Sequence, residues 1–290
     1  MTITILDGGI GQELVLRAKQ KPTGLWSTRV MLESPAMVRE VHDDYFAAGA
    51  EIATTNTYAV HRDRLRRFDV EDQFAALQHA ACRIAVEARD AFGAGRVAGA
   101  VGPTGWSYRP DLAPAVEQGA EIYAEVANIQ SDYVDFLLFE TMSSLREAES
   151  ALMGGSTVDK PLWLAVSVHD DDGSRLRSGE PVVDIIPLLV HYQPEALLVN
   201  CSVPEAVSQA VPLLVAQGMP VGAYANGFRR ISKAFTEAGA SVDLLEARED
   251  LDPDAYAEFA AGWINNGAQI IGGCCEVGPD HIKELARRFK

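Results

Sequence analysis

The stretch VDFLLFET, residues 134–141, decides the fold. A run that is apolar apart from Asp135 leads straight into a carboxylate, Glu140, and a hydroxyl, Thr141. A helical pattern over residues 145–153 follows almost at once. Strands without polar alternation are buried on both faces, as in parallel sheets covered by helices. In such sheets the polar residues at the carboxyl ends face a binding mouth.

The same unit recurs in both directions along the chain. Residues 3–6 end at Asp7-Gly8-Gly9, 51–55 at Asn56, and 96–101 at Gly102-Pro103. After the run 134–139, residues 162–168 end at His169 and 196–199 at Asn200-Cys201. Residues 221–224 precede Asn226-Gly227, and 269–271 end at Gly272-Gly273-Cys274-Cys275. Between these runs the spacing of apolar residues predicts helices over 35–49, 74–92, 115–133, 145–153, 204–217, 253–265 and 279–289. Ser34-Pro35 and Gly278-Pro279 read as helix starts, and Gly49 and Gly218 as stops. Eight strand–helix units predict an α/β fold, a (β/α)8 TIM barrel, with an open doubly wound sheet as the alternative. With no linker or low-complexity tract, residues 1–290 read as one domain. Residues 170–179 read as an exposed loop, and 229–252 as an irregular insertion after the seventh strand.

Composition narrows the partners. Twenty-five Lys and Arg against 41 Asp and Glu give a net charge of −16. That charge argues against nucleic acid and anionic membranes and mildly favours a cationic ligand. No apolar run approaches the ~18–20 residues of a membrane span. The start MTITILDGG has no secretory pattern, so a cytoplasmic location is expected. Four cysteines, Cys82, Cys201, Cys274 and Cys275, are too few to staple the chain and point to metal or catalysis.

Three of these thiols end barrel strands and face one mouth. Cys201, Cys274 and Cys275 around Zn²⁺ would leave one tetrahedral position open, as catalytic sites require. Sulfur ligands select Zn²⁺ over Mg²⁺ or Mn²⁺. Gly272-Gly273 allows the bend that lets adjacent cysteines share an ion. Inert buried thiols or a disulfide are the alternatives, and Cys82, inside a helical pattern, reads as core. Asp7 and Glu140 can clamp an ammonium group or work as acid and base; the alternative is that each caps the next helix. The Gly8 and Gly9 N–H groups can bind a carboxylate. Trp26, Tyr58, Trp106 and Tyr108 can form a wall for a methylated cation, or simply a packed lid. His169 reads as a loop hydrogen-bonder, with a base or a ligand as the alternatives. No P-loop, dinucleotide fingerprint or nucleophile elbow is present.

These residues resemble the zinc-dependent homocysteine S-methyltransferases. The resemblance lies in Leu6-Asp7-Gly8-Gly9 with Gly11, Leu25-Trp26-Ser27, Gly49-Ala50, and Thr55-Asn56-Thr57-Tyr58. It continues through Gly102-Pro103, Phe139-Glu140-Thr141, Val199-Asn200-Cys201-Ser202 and Gly272-Gly273-Cys274-Cys275. The Asn-Cys and Gly-Gly-Cys-Cys elements together are highly specific. The resemblance implies Zn²⁺ on Cys201, Cys274 and Cys275. It also implies Asp7 and Glu140 on the homocysteine amino group, Gly8-Gly9 on its carboxylate, and Trp26 and Tyr58 near the methyl donor. Asn200, within a matched motif, and Asn226, at the end of the seventh strand, join the substrate-binding set. Cys201, Cys274, Cys275 and Glu140 form the catalytic set.

The chain is similar to the short members that use S-methylmethionine. At 290 residues, ending soon after Cys275, it is expected to lack both the folate and cobalamin modules of larger relatives and the arm of betaine-using ones. It departs from the short members at Tyr224-Ala225-Asn226, where they often read Tyr-Pro-Asn, and residues 227–252 match poorly. The expected activity is methyl transfer from a sulfonium donor to homocysteine, giving methionine. The alternatives are a betaine or other onium donor, another thiol or selenol acceptor, a homocysteine-loading module for a separate corrinoid protein, and a redox sensor built on Cys274-Cys275. The oligomeric state cannot be read from the sequence.

Overall fold

The computed structural model describes residues 2–19, 21–232, 234–237 and 242–290. Its strands are β1 (Thr4–Ile5), β2 (Ile52–Thr54), β3 (Arg96–Val101), β4 (Phe136–Met142) and β5 (Leu162–Val166). A hairpin follows, β6 (Val168–His169) and β7 (Asp172–Leu176), then β8 (Ala196–Asn200), β9 (Val221–Tyr224) and β10 (Ile270–Ile271). Eight strands pair in the order β1-β10-β9-β8-β5-β4-β3-β2, and every pairing in that sheet is parallel. A parallel bridge between Leu6 and Ile52 joins the two ends of the row. The architecture is a (β/α)8 barrel.

The apolar strands divide their side chains between two cores. Leu6, Ile52, Ala98, Phe136, Leu138, Ala165, Leu198, Tyr224 and Ile270 fill the barrel interior. Their odd-numbered neighbours on β4, Leu137 and Phe139, pack outward with the helices. Because side chains alternate with period two, Glu140 follows Phe136 and Leu138 into the interior, at the mouth. Phe136 and Trp163 stack at 4.2 Å near the opposite end, and the Arg96 guanidinium lies over both rings.

The first helices are α1 (Ile10–Ala18), α2 (Ser27–Glu33), α3 (Pro35–Ala48), α4 (Arg62–Arg66), α5 (Phe74–Phe92) and α6 (Val116–Gln130). They continue as α7 (Leu145–Gly155), α8 (Ile186–Tyr192), α9 (Pro204–Val215), α10 (Pro253–Asn265) and α11 (Pro279–Phe289). Pro35 opens α3. The chain leaves that helix at Gly49 with φ of 106°, a left-handed turn that glycine makes without steric cost. Helix α8 carried no periodic signal because Ile186 and Val190 are exposed, so no clean apolar stripe marks it. Residues 170–179 are not a free loop: they form most of the β6–β7 hairpin, and Leu176 is fully buried. Among the described residues no helix is long and apolar enough to cross a membrane.

Two buried histidines lie outside the cleft. Neither ring nitrogen of His42 on α3 finds a partner, and burial lowers its pKa to about 4. His61 is lowered to about 4 by the same cause, although its Nε2 lies 3.0 Å from the Gly102 carbonyl oxygen. An unfolded histidine titrates near 6.5, so the unfolded chain holds more protons between those values. Stability therefore falls as the pH drops from about 6.5 towards 4. At about pH 5 each histidine should cost about 2 kcal/mol. His42→Leu in chelator-treated protein should shrink the loss of urea stability between about pH 7.5 and pH 5 by that amount. An equal loss in variant and wild type would contradict the assignment.

Candidate active site

The parallel order gathers the carboxyl ends of all eight strands at one rim. Cys201 follows β8 directly, and Cys274 and Cys275 follow β10. The three sulfurs lie within 4.8 Å of one another. Cys201 Sγ and Cys274 Sγ are 2.7 Å apart, longer than the ~2.05 Å of a disulfide. All four cysteines of the chain are free, and Cys82 is core on α5.

Close backbone packing makes this convergence possible. A Cβ on Gly272 would meet the Leu6 Cβ at 2.5 Å, and one on Gly273 would meet Val277 Cγ1 at 2.1 Å. A Cβ on Gly9 would fall 2.5 Å from the Cys274 carbonyl oxygen. The glycine pairs after β1 and β10 thus lie against each other, and the Gly273 N–H donates to the Asp7 carbonyl at 3.0 Å. The residue set fits a thiophilic cation: three converging sulfurs, those of buried Cys201 and Cys275 and half-buried Cys274, with no histidine among them. Cys201 is the first to ionise. The thiols of Cys274 and Cys275 donate to its sulfur, and the hydroxyls of Tyr108 and Thr141 add to the effect. The Tyr108 hydroxyl lies 3.1 Å from that sulfur.

Backbone strain concentrates here as well. Trp26, Tyr108, Thr141 and Cys201 all have positive φ, between 49° and 66°. Such residues cost of order 1–3 kcal/mol each and persist where their surroundings fix them. Asn200 fixes Thr141: its Oδ1 accepts from the Thr141 N–H at 2.9 Å and its Nδ2 donates to Thr141 Oγ1 at 3.1 Å. Arg177, just after β7, fixes Cys201. It donates to the Cys201 carbonyl at 3.2 Å, pairs with buried Asp170 at 2.7 Å, and lies 4.6 Å from the Tyr108 ring centroid.

The carboxyls Asp7 and Glu140 line the same cleft. Asp7 Oδ2 accepts from the Thr54 N–H at 2.6 Å. Burial still pushes its pKa up to about 8. Glu140 Oε2 accepts from the Tyr224 hydroxyl at 3.1 Å, and burial, with the Cys201 charge second, raises it to about 8. Neither carboxyl has a cationic partner among the described residues. A ligand ammonium would restore both anions, since an opposite charge at close range favours the ionised form.

The rest of the wall is largely aromatic. Trp26, Tyr58, Trp106, Tyr108, Phe228 and Phe235 line the cleft, whose empty volume is about 1030 Å³ counted to its open mouth. Trp26 and Tyr58 meet edge to face at 5.9 Å. Phe235, Val242 and Leu245 come from the irregular 229–252 stretch, which folds over the mouth. Of that stretch, 233 and 238–241 lie outside the described residues. Arg109 donates to the Thr236 carbonyl at 2.7 Å and ties this cover to the loop after β3.

Several residues singled out in the sequence stand elsewhere. Gly8 and Gly9 line the cleft, but the Gly9 N–H is spent on the Val277 carbonyl at 3.0 Å. Asn200 and Asn226 are fully buried behind the wall; Asn226 Oδ1 accepts from the Phe228 N–H at 3.1 Å. His169 is exposed and accepts from the Asp171 N–H at 3.2 Å. Sequence reading passed over Thr54, Tyr224, Arg64 and Arg177. Tyr224 was legible as a strand end; Arg177 was not, because its role rests on a hairpin that reads as a polar loop.

Comparison with known proteins agrees with this arrangement. The profile described as homocysteine S-methyltransferase matches residues 4–289. The chain belongs to the homocysteine S-methyltransferase family. It is 30% identical to the homocysteine S-methyltransferase of Escherichia coli, over 99% of this chain and 95% of that one. It is 27% identical to the homocysteine S-methyltransferase YbgG of Bacillus subtilis, covering 98% and 93%. The crystal structure of the E. coli homocysteine methyltransferase MmuM in its metallated form superposes with a TM-score of 0.82 at 28% identity, covering 99% and 96%. Membership of this family makes the chain an S-methyltransferase, and the three-cysteine cluster matches the zinc cofactor expected of it.

Cys201→Ser should remove the first thiol of the cluster to ionise while keeping the barrel. Zinc affinity should fall more than ~100-fold, and metal-free variant and wild type should melt within about 4 °C of each other. Elemental analysis after dialysis, with thermal melts, measures both. Full zinc content in the variant would contradict a three-thiol site.

Proposed function

We propose that this enzyme transfers a methyl group from a sulfonium donor, with S-methylmethionine the best match, to the thiol of homocysteine, giving methionine. One observation carries the reading. Three free thiols and two buried carboxyls without a cation share one aromatic cleft. That combination fits an acceptor with a thiol at one end and an ammonium at the other.

Cys201, Cys274 and Cys275 would hold zinc, which lowers the pKa of an acceptor thiol at neutral pH. Asp7 and Glu140 bind the homocysteine ammonium. Thr54 and Tyr224 keep the two carboxyls aimed by donating to them. Tyr58, Trp106 and Trp26 face the donor, and their ring faces attract a positively charged sulfur. The acceptor sulfur attacks the donor methyl carbon in line. A carbon–sulfur bond forms, and the donor's methyl–sulfur bond breaks with its electron pair returning to that sulfur. The donor's positive charge disappears, and the acceptor thiol's proton leaves to solvent. The cover formed by Phe228, Phe235, Val242 and Leu245 excludes water, and the pocket holds both substrates in attack geometry, which supplies much of the rest of the catalysis. Clustered reduced thiols fit a reducing compartment, and we place the enzyme in the cytoplasm.

Purified, zinc-loaded protein should form methionine from homocysteine and S-methylmethionine, and a chelator should abolish it. No turnover in protein that retains zinc would reject the donor and direct the search to betaines, other onium compounds or a corrinoid partner. Glu140→Gln should keep its zinc but raise the KM for homocysteine about 10- to 100-fold, the loss of a hydrogen bond to a charged group. An unchanged KM would remove Glu140 from the ammonium site.

A further inference from the structure

We propose that Arg64 binds the carboxylate of the methyl donor and makes the cleft selective for onium donors that carry one. This rests on the methyl-transfer reading above and deepens it. Arg64 is the only cationic side chain lining the cleft among the described residues. It is 5% exposed. A buried guanidinium is normally held by a carboxylate, because an uncompensated buried charge is costly. No ion pair involves Arg64 among the described residues, although the neighbouring helix residues Arg62 and Arg66 each have one. Its Nε is buried without an acceptor. Among the described residues its one side-chain bond runs from Nη2 to Ser107 Oγ at 3.0 Å. Adjacent Asp63 is turned to the Gly105 N–H, at 2.8 Å.

The surroundings place this charge at the donor end. The Arg64 guanidinium lies 5.6 Å from the Tyr58 ring centroid and 5.0 Å from that of Trp106. Ser107 Oγ also lies 2.8 Å from the Tyr58 hydroxyl. Next in sequence, Tyr108 touches Cys201. Sulfur, aromatic rings and guanidinium therefore form one continuous wall. A donor whose sulfonium rests on those rings can extend its carboxylate to Arg64. The carboxyls Asp7 and Glu140 are left for the acceptor's ammonium. A second guanidinium, exposed Arg67, lies on the Trp106 ring at 5.5 Å, so this rim draws anions in a chain whose net charge is −16.

The test measures binding as well as turnover. S-methylmethionine and its carboxyl methyl ester are titrated into zinc-loaded wild type, Arg64→Gln and Arg64→Lys by calorimetry. Melting curves check that each variant is folded. Wild type should bind the free acid about 10- to 100-fold more tightly than the ester. Arg64→Gln should abolish that preference with little change for the ester, and Arg64→Lys should restore part of it. Homocysteine affinity should stay the same in all three. Equal affinity of wild type for acid and ester, no binding of either, or equal losses for both in Arg64→Gln would overturn the inference. So would a loss confined to homocysteine. If the Arg64-dependent preference is seen but no methyl transfer occurs, the inference stands and the proposed reaction fails.

Discussion

The site depends on the closure of the barrel at its first strand. β1 pairs with β10 on one side, Thr4 with Ile270 and Ile5 with Ile271. On the other side Leu6 bridges to Ile52. A two-residue strand held on both edges sets the position of everything at the seam. It brings Asp7 beside Cys274 and lets the two Gly-Gly turns pack backbone to backbone. Without that close approach, a thiol pair from the end of the chain could not meet a carboxyl from its start. Side-chain bulk at Gly9 or Gly273 would push the seam apart, since a Cβ at either would meet another atom at 2.5 Å or less.

Charge then gives the cleft its character. Thiols and carboxyls are taken from water with few cations to balance them, and hydroxyls and backbone N–H groups carry part of the load. Tyr108 and Thr141 serve Cys201; Thr54 serves Asp7; Tyr224 serves Glu140. Such bonds orient the groups without neutralising them. A bound metal and a ligand ammonium would therefore stabilise the cleft. The same imbalance has one exception, the buried guanidinium of Arg64, which asks for the opposite ligand charge. The strained residues Thr141 and Cys201 sit between these regions, held by Asn200 and Arg177.

Much of this was legible in the sequence because buried parallel strands leave a plain signal. The runs over 96–101 and 221–224 coincide with β3 and β9, and the helix over 74–92 with α5. β4 runs on to Met142 because its pairing with β5 continues past Glu140, across an irregularity, to Val166. Hydropathy cannot show that. The three cysteines could be read as a group because strand ends in this fold share one rim. The hairpin β6–β7 and helix α8 were illegible: one is polar along much of its length, and the other exposes Ile186 and Val190 beside buried Leu189. Arg64 was missed for a related reason. It lies in an Arg-rich helix whose other arginines are surface residues, and only its burial and its lack of a carboxylate set it apart.

Three thiolates should hold one metal and leave a position for the acceptor's sulfur. X-ray absorption at the zinc edge of the loaded protein tests it most directly. Three sulfur neighbours at about 2.3 Å with one lighter atom are expected, becoming four sulfurs when homocysteine is added. Fewer than three sulfurs in the loaded protein, or a sulfur count unmoved by saturating homocysteine, would contradict it.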